Sequence, residues 1–332
     1  MAYKPTMDDI KKLRTMTGAG LGDVKKALVE AEGDFDKAKD LLRERGLAIA
    51  AKRSDRETSN GCVLVKKVDG FAAMVAVKCE TDFVANGADF IALTESILDA
   101  AIAAKAKDLE EVKSLKLANG DDAATAVQQR SGISGEKMEI DGYNFLEGEN
   151  IEIYDHMNKH TLATMVQTNK PAAEAAHKVA MQVAAMKPVA LDEASVPQEV
   201  KDEEYKVAVQ KTKEEQVEKA VAAAIKKAGY NAYIAESEEH LEEGIRKGNI
   251  TEADAIRKLK QETAEQKLAN MPEQMVQIIA KGRLAKFFKD NCLVDQEFQF
   301  GDGDKQTVAE YLKKQDAELK IVAYKRFTLV AE

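Results

Sequence analysis

A carboxylate and a large aromatic ring stand side by side in the sequence Thr81-Asp82-Phe83-Val84. The stretch lies on a short polar segment between a predicted hairpin and a predicted helix. A carboxylate can disturb the ligand shell of a cation, and an exposed ring can displace the packed side chains of a partner. The residues leave a second interpretation open, in which Asp82 caps a turn and Phe83 packs into the core.

Cysteine and histidine chemistry has little support in the sequence. The three cysteines are an odd number, are widely separated and form no C-x-x-C pair, which argues against a disulfide framework and against a zinc ribbon. No histidine lies near Cys79, so we expect it to be a small buried core residue. An enzyme that pairs Cys79 with His177 remains an alternative. His156 and His160 lie in a predicted turn, where their spacing does not align two imidazoles, so we expect no metal site there. For the chain as a whole we expect no cofactor and no catalytic residue.

The glycine-rich run at residues 18–22 superficially resembles a dinucleotide-binding loop. It follows a predicted helix instead of a strand, and its glycine spacing differs from G-x-G-x-x-G, so we interpret it as a turn. The phosphate-binding pattern G-x-x-x-x-G-K-[ST] does not occur in the chain. The sequence therefore does not predict a nucleotide hydrolase.

Length and charge narrow the class of protein further. The 332 residues predict two or three domains, and the net charge of −9 is unevenly distributed. Residues 1–56 carry 13 Lys and Arg against 10 Asp and Glu, whereas the rest of the chain carries 36 against 48. An acidic body argues against nucleic acid as a direct partner. The chain lacks a bilayer-spanning apolar run and a signal-peptide core, so we expect a cytoplasmic protein with no membrane partner.

Helical spacing of apolar residues predicts three short helices within residues 1–46. Gly46 is expected to end the third helix, and the basic and polar residues 47–60 are typical of a linker. Three residues are expected to cap the helix N-termini: Thr6, Asp23 and Asp34.

The apolar period changes from helix to strand after the linker. Runs at residues 62–68 and 71–79 flank Asp69-Gly70, which is a strong hairpin signal. A similar order of hairpin and helix returns at residues 149–187, so we predict an α+β fold with antiparallel sheets. The predicted core has two parts: an N-subdomain at 61–140, and a C-subdomain at 141–204 and 271–332.

Residues 205–270 differ from the core because they are rich in charge and contain no Phe, Trp or Cys. Narrow apolar stripes on their predicted helices favour an inserted antiparallel coiled-coil subdomain. A solvated helical excursion without a role is the alternative.

Four blocks, in order along the chain, are similar to signatures of the bacterial elongation factor Ts family. They are Leu13-Arg14-Thr15-Met16-Thr17-Gly18-Ala19-Gly20, which continues through Asp23-Val24-Lys25-Lys26-Ala27-Leu28; Thr81-Asp82-Phe83-Val84-Ala85-Asn86; His177-Lys178-Val179-Ala180-Met181-Gln182-Val183-Ala184-Ala185-Met186-Lys187-Pro188; and Gly282-Arg283-Leu284-Ala285-Lys286-Phe287-Phe288. The resemblance implies a three-helix module like the ubiquitin-associated fold, a two-part α+β core and an inserted coiled coil. It also implies a guanine-nucleotide exchange factor for elongation factor Tu, which dislodges magnesium and releases GDP during translation.

The resemblance also implies roles for individual residues. Thr81, Asp82, Phe83 and Val84 match the segment that dislocates magnesium. Leu21, Gly22, Lys25 and His156 match positions that contact the GTPase, with Met157 in place of the glycine that usually follows the histidine.

Two interpretations from other classes compete with the exchange factor. One is an interaction scaffold whose first three helices bind a peptide or a ubiquitin-like partner, and the other is the Cys79–His177 enzyme. Whether the coiled coil forms a homodimer stays open.

Overall fold

The computed structural model describes residues 3–53, 55–248, 251–301, 303 and 305–329. The chain divides into two compact units, the first comprising Met1–Pro188 with Glu297–Glu332 and the second Val189–Gln296. Unit 1 is α+β and contains two antiparallel three-stranded sheets, and the elements of unit 2 are helical. No helix in the described ranges combines the length and the apolarity that crossing a bilayer requires.

Three helices open unit 1: α1 Met7–Thr17, α2 Leu21–Glu30 and α3 Phe35–Ala51. Thr6 caps α1 in a capping box with Asp9, as predicted. The Asp34 carboxylate accepts hydrogen bonds from the backbone N–H groups of residues 36 and 37, so the predicted cap of α3 is also confirmed. Asp23 does not cap α2, because the helix already begins at Leu21 with Gly20 as its N-cap. The apolar faces meet in a small core: Ile10, Leu13, Ala19, Val24, Ala27, Leu28, Ala31 and Ala38.

The predicted end of α3 at Gly46 is wrong, since the helix continues to Ala51. Gly46 lies instead where α3 passes α7, which spans Ala123–Ser134. A Cβ added to Gly132 of α7 would lie 2.4 Å from the Gly46 Cα, so the two backbones are in direct contact. Gly46 therefore lies at a helix crossing and not at a helix end.

The first sheet has the order β1-β2-β3, with β1 Asn60–Val68, β2 Phe71–Cys79 and β3 Met138–Glu147. The predicted hairpin is confirmed, with Val68 paired to Phe71 and Gly70 at φ +71° in the turn. Every second side chain of β2 from Phe71 to Cys79 packs in the core formed with the helices, and Ala72, Met74 and Ala76 between them pack against the second sheet. Burial on both faces explains why β2 is a continuous apolar run.

The sequence pattern predicts no strand at residues 138–147, where the structure has β3. Apolar and acidic residues alternate from Met138 to Asp141, but a β-bulge leaves Asp141 out of the register with β2 and shifts the phase of the pattern at Gly142. The acidic side chains have partners in neighbouring segments. Asp141 forms an ion pair with Lys78 at 2.9 Å, and Glu139 accepts a hydrogen bond from Thr58. β3 also spans residue 140, which is the predicted boundary between the N-subdomain and the C-subdomain.

Helices cover the first sheet on the face away from the second sheet. They are α4 Asp82–Ala85, α5 Ala88–Ala104, α6 Leu109–Ser114 and α7. Residues 80–87 predict a loop, but their centre forms the single turn α4. Fully buried Phe90 and Ile97 anchor α5, and burying each such side chain stabilises the fold by about 1.5–3 kcal/mol.

The second sheet has the order β4-β5-β6, with β4 Ile151–Asp155, β5 Leu162–Thr168 and β6 Ile321–Thr328. Helix α8, Ala173–Met186, lies beside β4 and β5. The two sheets share an apolar layer that includes Val63, Met74 and Met165. A Cβ on Gly142 would lie 2.0 Å from the ring of Phe327, so glycine allows this ring to lie against β3. The hairpin and helix that recur here are as predicted.

Unit 2 contains the helices α9 Gln198–Lys227, α10 Ala232–Glu236, α11 Glu238–Arg246, α12 Ala253–Ala269 and α13 Glu273–Asn291, and α14 Val308–Gln315 returns to unit 1. The long helix α9 packs along both α12 and α13. Its C-terminal part closes a small core with the short helices, formed by Ile225, Ala235, Leu241, Ala253 and Ile256. The pattern predicts a core-like helix at α13, yet Ile278 is 64% exposed, because α13 buries only one face.

Candidate functional site

The segment at residues 81–84 forms the start of α4 directly after β2. Thr81 has extended backbone angles and its Oγ1 accepts a hydrogen bond from the Val84 N–H at 3.4 Å, so Thr81 and not Asp82 is the N-cap. Ala85 is buried against the sheet, whereas the Phe83 side chain is 86% exposed. The interpretation in which Phe83 packs inward is therefore wrong. Asp82 is exposed beside it, so the carboxylate and the ring both face solvent.

Thr81 is held at three of its polar atoms. Its N–H donates to one carboxylate oxygen of Glu136 at 3.0 Å, and its hydroxyl donates to the other at 2.6 Å. Its carbonyl accepts a hydrogen bond from the Cys79 thiol at 3.2 Å. The two bonds to the Glu136 carboxylate are charge-assisted, and such bonds are roughly twice as strong as neutral ones. The start of α4 is therefore fixed from both sides.

Glu80 makes a second attachment at the same end of the sheet. Its carboxylate accepts hydrogen bonds from the Lys137 N–H at 2.5 Å and from Arg56 at 3.1 and 3.3 Å. The Asn60 side chain donates to the Glu80 carbonyl at 2.9 Å. These bonds favour the ionised form, so the pKa of Glu80 lies below its ordinary value, first because of the Lys137 N–H and then because of Arg56.

Sequence reasoning missed Glu136, Glu80 and Arg56 because their partners lie 24 to 57 residues away along the chain. The only local signal was Ser134-Gly135, which marks a helix end just before Glu136. Gly135 has φ +85° and ends α7, and this turn directs the chain toward Thr81.

The cysteine chemistry that competes with this site lacks an accessible thiol. Cys79 is fully buried, and burial raises the pKa of its thiol to about 12. Burial raises the pKa of Cys62 to about 12 as well. Both thiols are therefore protonated near neutral pH, and the thiolate is the form that acts as a nucleophile. His177 packs edge-on against the ring of Tyr154, with centroids 5.6 Å apart. These observations count against the Cys79–His177 enzyme.

Three predicted partner contacts lie on the solvent side of α2. Leu21 is 50% exposed and Lys25 is exposed, while Val24 between them faces the core. Gly22 is also exposed, and a Cβ added there would meet nothing within 4 Å. Residues three and four positions apart share a helix face, so Lys25 lies beside both Gly22 and Leu21, and the three residues form one small surface at the start of α2.

His156 lies on a separate turn between β4 and β5. The Tyr154 hydroxyl lies 3.1 Å from His156 Nδ1, and the two rings meet edge-on. Met157 follows at φ +57°, in the left-handed region that favours glycine. His160 pairs with Asp155 and not with His156, which agrees with the prediction of a turn. The described residues contain no group of three or more Asp, Glu, His or Cys side chains that could hold a metal ion.

Helix α7 connects the first helices to the 81–84 segment. A Cβ on Gly18, just before α2, would lie 3.8 Å from Arg130 of α7, and Arg130 forms an ion pair with Asp89 at the start of α5. Glu136 follows α7 and holds Thr81. The structure thus links the α2 surface to α4 through one helix.

Comparison with known proteins identifies the family of this chain. The family model described as Elongation factor TS matches residues 80–331. The chain is 57% identical over 330 residues to Elongation factor Ts of Phocaeicola vulgatus, an alignment that covers 98% of this chain and 99% of the relative. It is 58% identical over 331 residues to that of Bacteroides fragilis, with the same coverage, and 38% identical over 328 residues to that of Porphyromonas gingivalis, which also spans 98% and 99% of the two chains. The chain therefore belongs to the elongation factor Ts family.

Proposed function

We propose that this chain is a guanine-nucleotide exchange factor of translation elongation. It binds elongation factor Tu in the GDP-bound and nucleotide-free states, dislodges magnesium and promotes GDP release so that GTP can rebind. Family membership supports the assignment. The observation that carries it is the 86% exposure of Phe83 on a short helix that is tied down at Thr81. An exposed ring on a fixed support is suited to entering a partner.

The proposed activity is a coupling of two binding equilibria. The factor must bind the nucleotide-free partner better than the GDP-bound one, and GDP must then weaken the factor's binding by the same ratio. Moving GDP from nanomolar to micromolar affinity requires about 4 kcal/mol. Phe83 would displace packed side chains near the nucleotide, and Asp82 would disturb the ligand shell of the magnesium ion, which links phosphate to protein.

This activity makes and breaks no covalent bond, so we propose that the chain is not an enzyme and holds no cofactor. Its site of action would be the cytoplasm, with no direct contact to nucleic acid or membrane. The surface formed by Leu21, Gly22 and Lys25 would dock on the GTPase, and His156 would add a contact from its turn. Docking and magnesium displacement would thus belong to different elements of unit 1.

We extend the proposal to domain organisation. The core shared by α1, α2 and α3 supports a ubiquitin-associated-like module from residue 1 to the end of α3 at Ala51, followed by a linker up to β1. The N-subdomain would run from 61 to the end of β3, and the C-subdomain would comprise the residues up to 204 together with 271–332. The packing of α9 along α12 supports a coiled-coil subdomain at 205–270, which would add a partner contact or a homodimer surface.

Release of labelled GDP from elongation factor Tu, followed by stopped-flow fluorescence, tests the proposal. We expect the protein to accelerate release, and Phe83→Ala to slow the accelerated rate by about tenfold or more, which corresponds to about 1.4 kcal/mol. Asp82→Ala should act in the same direction. Ile278→Ala is the matched control, because it removes an equally apolar and 64% exposed side chain from α13, a helix of unit 2. A scaffold would leave GDP release unchanged, and that result would overturn the proposal.

A further inference from the structure

We infer that Glu136 is a positioning residue for nucleotide exchange, because both of its carboxylate oxygens hold Thr81, the residue that starts the helix bearing Phe83. The inference rests on the proposed function and adds a residue that acts without touching the partner. Its role is to fix where the aromatic ring stands before the two proteins meet.

The helix that carries Phe83 cannot hold itself in place. It is one turn of four residues, and an isolated turn costs more conformational entropy than its hydrogen bonds return. Phe83 contributes little packing because most of its surface is in water. The ring therefore takes its position from the residues that fix the turn, which are Val84 and Ala85 packed against the core on one side and Thr81 on the other.

At the Thr81 end, the Glu136 carboxylate gives stronger support than the Cys79 thiol does, because its hydrogen bonds are charge-assisted. The carboxylate binds the Thr81 N–H at 3.0 Å and the hydroxyl at 2.6 Å, so it fixes both the backbone and the side chain of the cap. With its hydroxyl hydrogen committed to Glu136, Thr81 Oγ1 has lone pairs left for the Val84 N–H. The Glu136 carboxylate thus sets the orientation of the Thr81 side chain that caps α4.

The backbone of Glu136 is itself fixed by the end of α7. Its N–H donates to the Ser134 hydroxyl at 3.1 Å, and its carbonyl accepts from the Ser131 hydroxyl at 2.6 Å. Ser131 is buried, and its own carbonyl accepts from Arg53 at 3.1 Å. The carboxylate therefore extends from a rigid platform, which is what a positioning residue requires.

The first experiment separates the maximal rate of exchange from the affinity for the partner. In Glu136→Ala, the fraction of molecules with a correctly placed ring falls, and the maximal rate of GDP release should fall by about fivefold in proportion. The concentration of protein at half-maximal rate should change by less than about twofold, because the α2 surface is untouched. Glu147→Ala is the matched control, since Glu147 is an exposed, ion-paired carboxylate at the far end of β3.

A graded series of variants tests whether Glu136 acts through Thr81. Glu136→Gln keeps one acceptor oxygen and should restore part of the rate. In a Thr81→Val background, which removes the hydroxyl, Glu136→Gln should have a smaller effect than in the wild type. Equal effects in both backgrounds would contradict the inference, and these milder variants also decide the matter if Glu136→Ala does not fold.

The second experiment reports the position of the ring without any partner. The chain contains no tryptophan, so Phe83→Trp introduces its only tryptophan at the site, which can be excited apart from the eight tyrosines. Adding Glu136→Ala should increase the fast, large-amplitude part of its anisotropy decay, and the amide hydrogen of Thr81 should exchange at least about tenfold faster. Adding Glu147→Ala should change neither value.

The two experiments distinguish the possible failures. If the unmodified protein does not accelerate GDP release, the proposed function fails, while the anisotropy and hydrogen-exchange results still decide whether Glu136 positions the ring. If the unmodified protein is active and Glu136→Ala matches it in maximal rate and in anisotropy, the positioning role of Glu136 is overturned alone.

Discussion

Gly132 of α7 lies with its backbone against Gly46 of α3, and the contact is asymmetric. A Cβ on Gly132 would lie 2.4 Å from the Gly46 Cα and 2.7 Å from its carbonyl oxygen, which no real contact allows. A Cβ on Gly46 would meet nothing closer than 3.8 Å. Only one of the two glycines is therefore required for the crossing that joins the N-terminal helices to the core.

This asymmetry predicts opposite effects of one substitution at two neighbouring sites. Gly132→Ala should lower the free energy of unfolding by about 1–3 kcal/mol, because the two helices must separate. Gly46→Ala should raise it by about 0.5–1 kcal/mol, because alanine favours the helix and fits the space. Urea denaturation of both variants checks the pair, and equal effects would contradict the crossing geometry.

Exposed Leu21 provides a test of docking apart from exchange. Leu21→Ser should weaken binding to nucleotide-free elongation factor Tu by about fivefold to thirtyfold, as expected for an apolar anchor at an interface. The rate of GDP release at saturating protein should stay the same, because the Phe83 helix is intact. Isothermal titration calorimetry and the saturated rate measure the two quantities. Val29→Ser is the matched control, since Val29 is an exposed apolar residue at the other end of α2.

Met157 has a left-handed backbone conformation that a side chain with a Cβ disfavours. Met157→Gly should therefore raise the free energy of unfolding by about 0.5–1 kcal/mol, the relieved strain exceeding the added chain entropy. Lys159→Gly should lower it by about 0.5–1 kcal/mol, because Lys159 has φ −94° and gains nothing from glycine. Thermal unfolding of the two variants gives the comparison. Destabilisation by Met157→Gly would show that the side chain contributes more than its strain.

The pKa of Glu80 predicts how stability depends on pH. The folded protein holds this pKa below the ordinary value of 4.5, so the ionised carboxylate stabilises the fold above that value. This stabilisation is lost as pH falls through the lower, folded pKa. Between pH 6 and pH 3, the wild type should lose more stability than Glu80→Gln. Plots of the free energy of unfolding against pH for the two proteins, measured by denaturation, should therefore converge toward low pH. A constant difference across this range would indicate that Glu80 does not titrate in the way its partners imply.

The sequence by itself determined the local elements and the family. Capping residues such as Thr6 and Asp34 act within one helical turn, and the Asp69-Gly70 turn joins strands that are adjacent in the chain, so short-range physics is enough to predict them. The family signature at residues 81–86 is likewise a local pattern. These features depend on residues that are close together in the sequence.

The tertiary structure alone decided whether Phe83 faces solvent, because the same residues allow a buried ring. Strand β3 could not be predicted, since a β-bulge at Asp141 shifts the phase of its apolar pattern, and Lys78, the partner of Asp141, lies on a neighbouring strand. The contact of Gly46 with Gly132 and the hold of Glu136 on Thr81 join residues 86 and 55 positions apart. Helical propensity and apolar period describe neighbours along the chain, whereas these contacts exist only once the sheet has brought distant segments together.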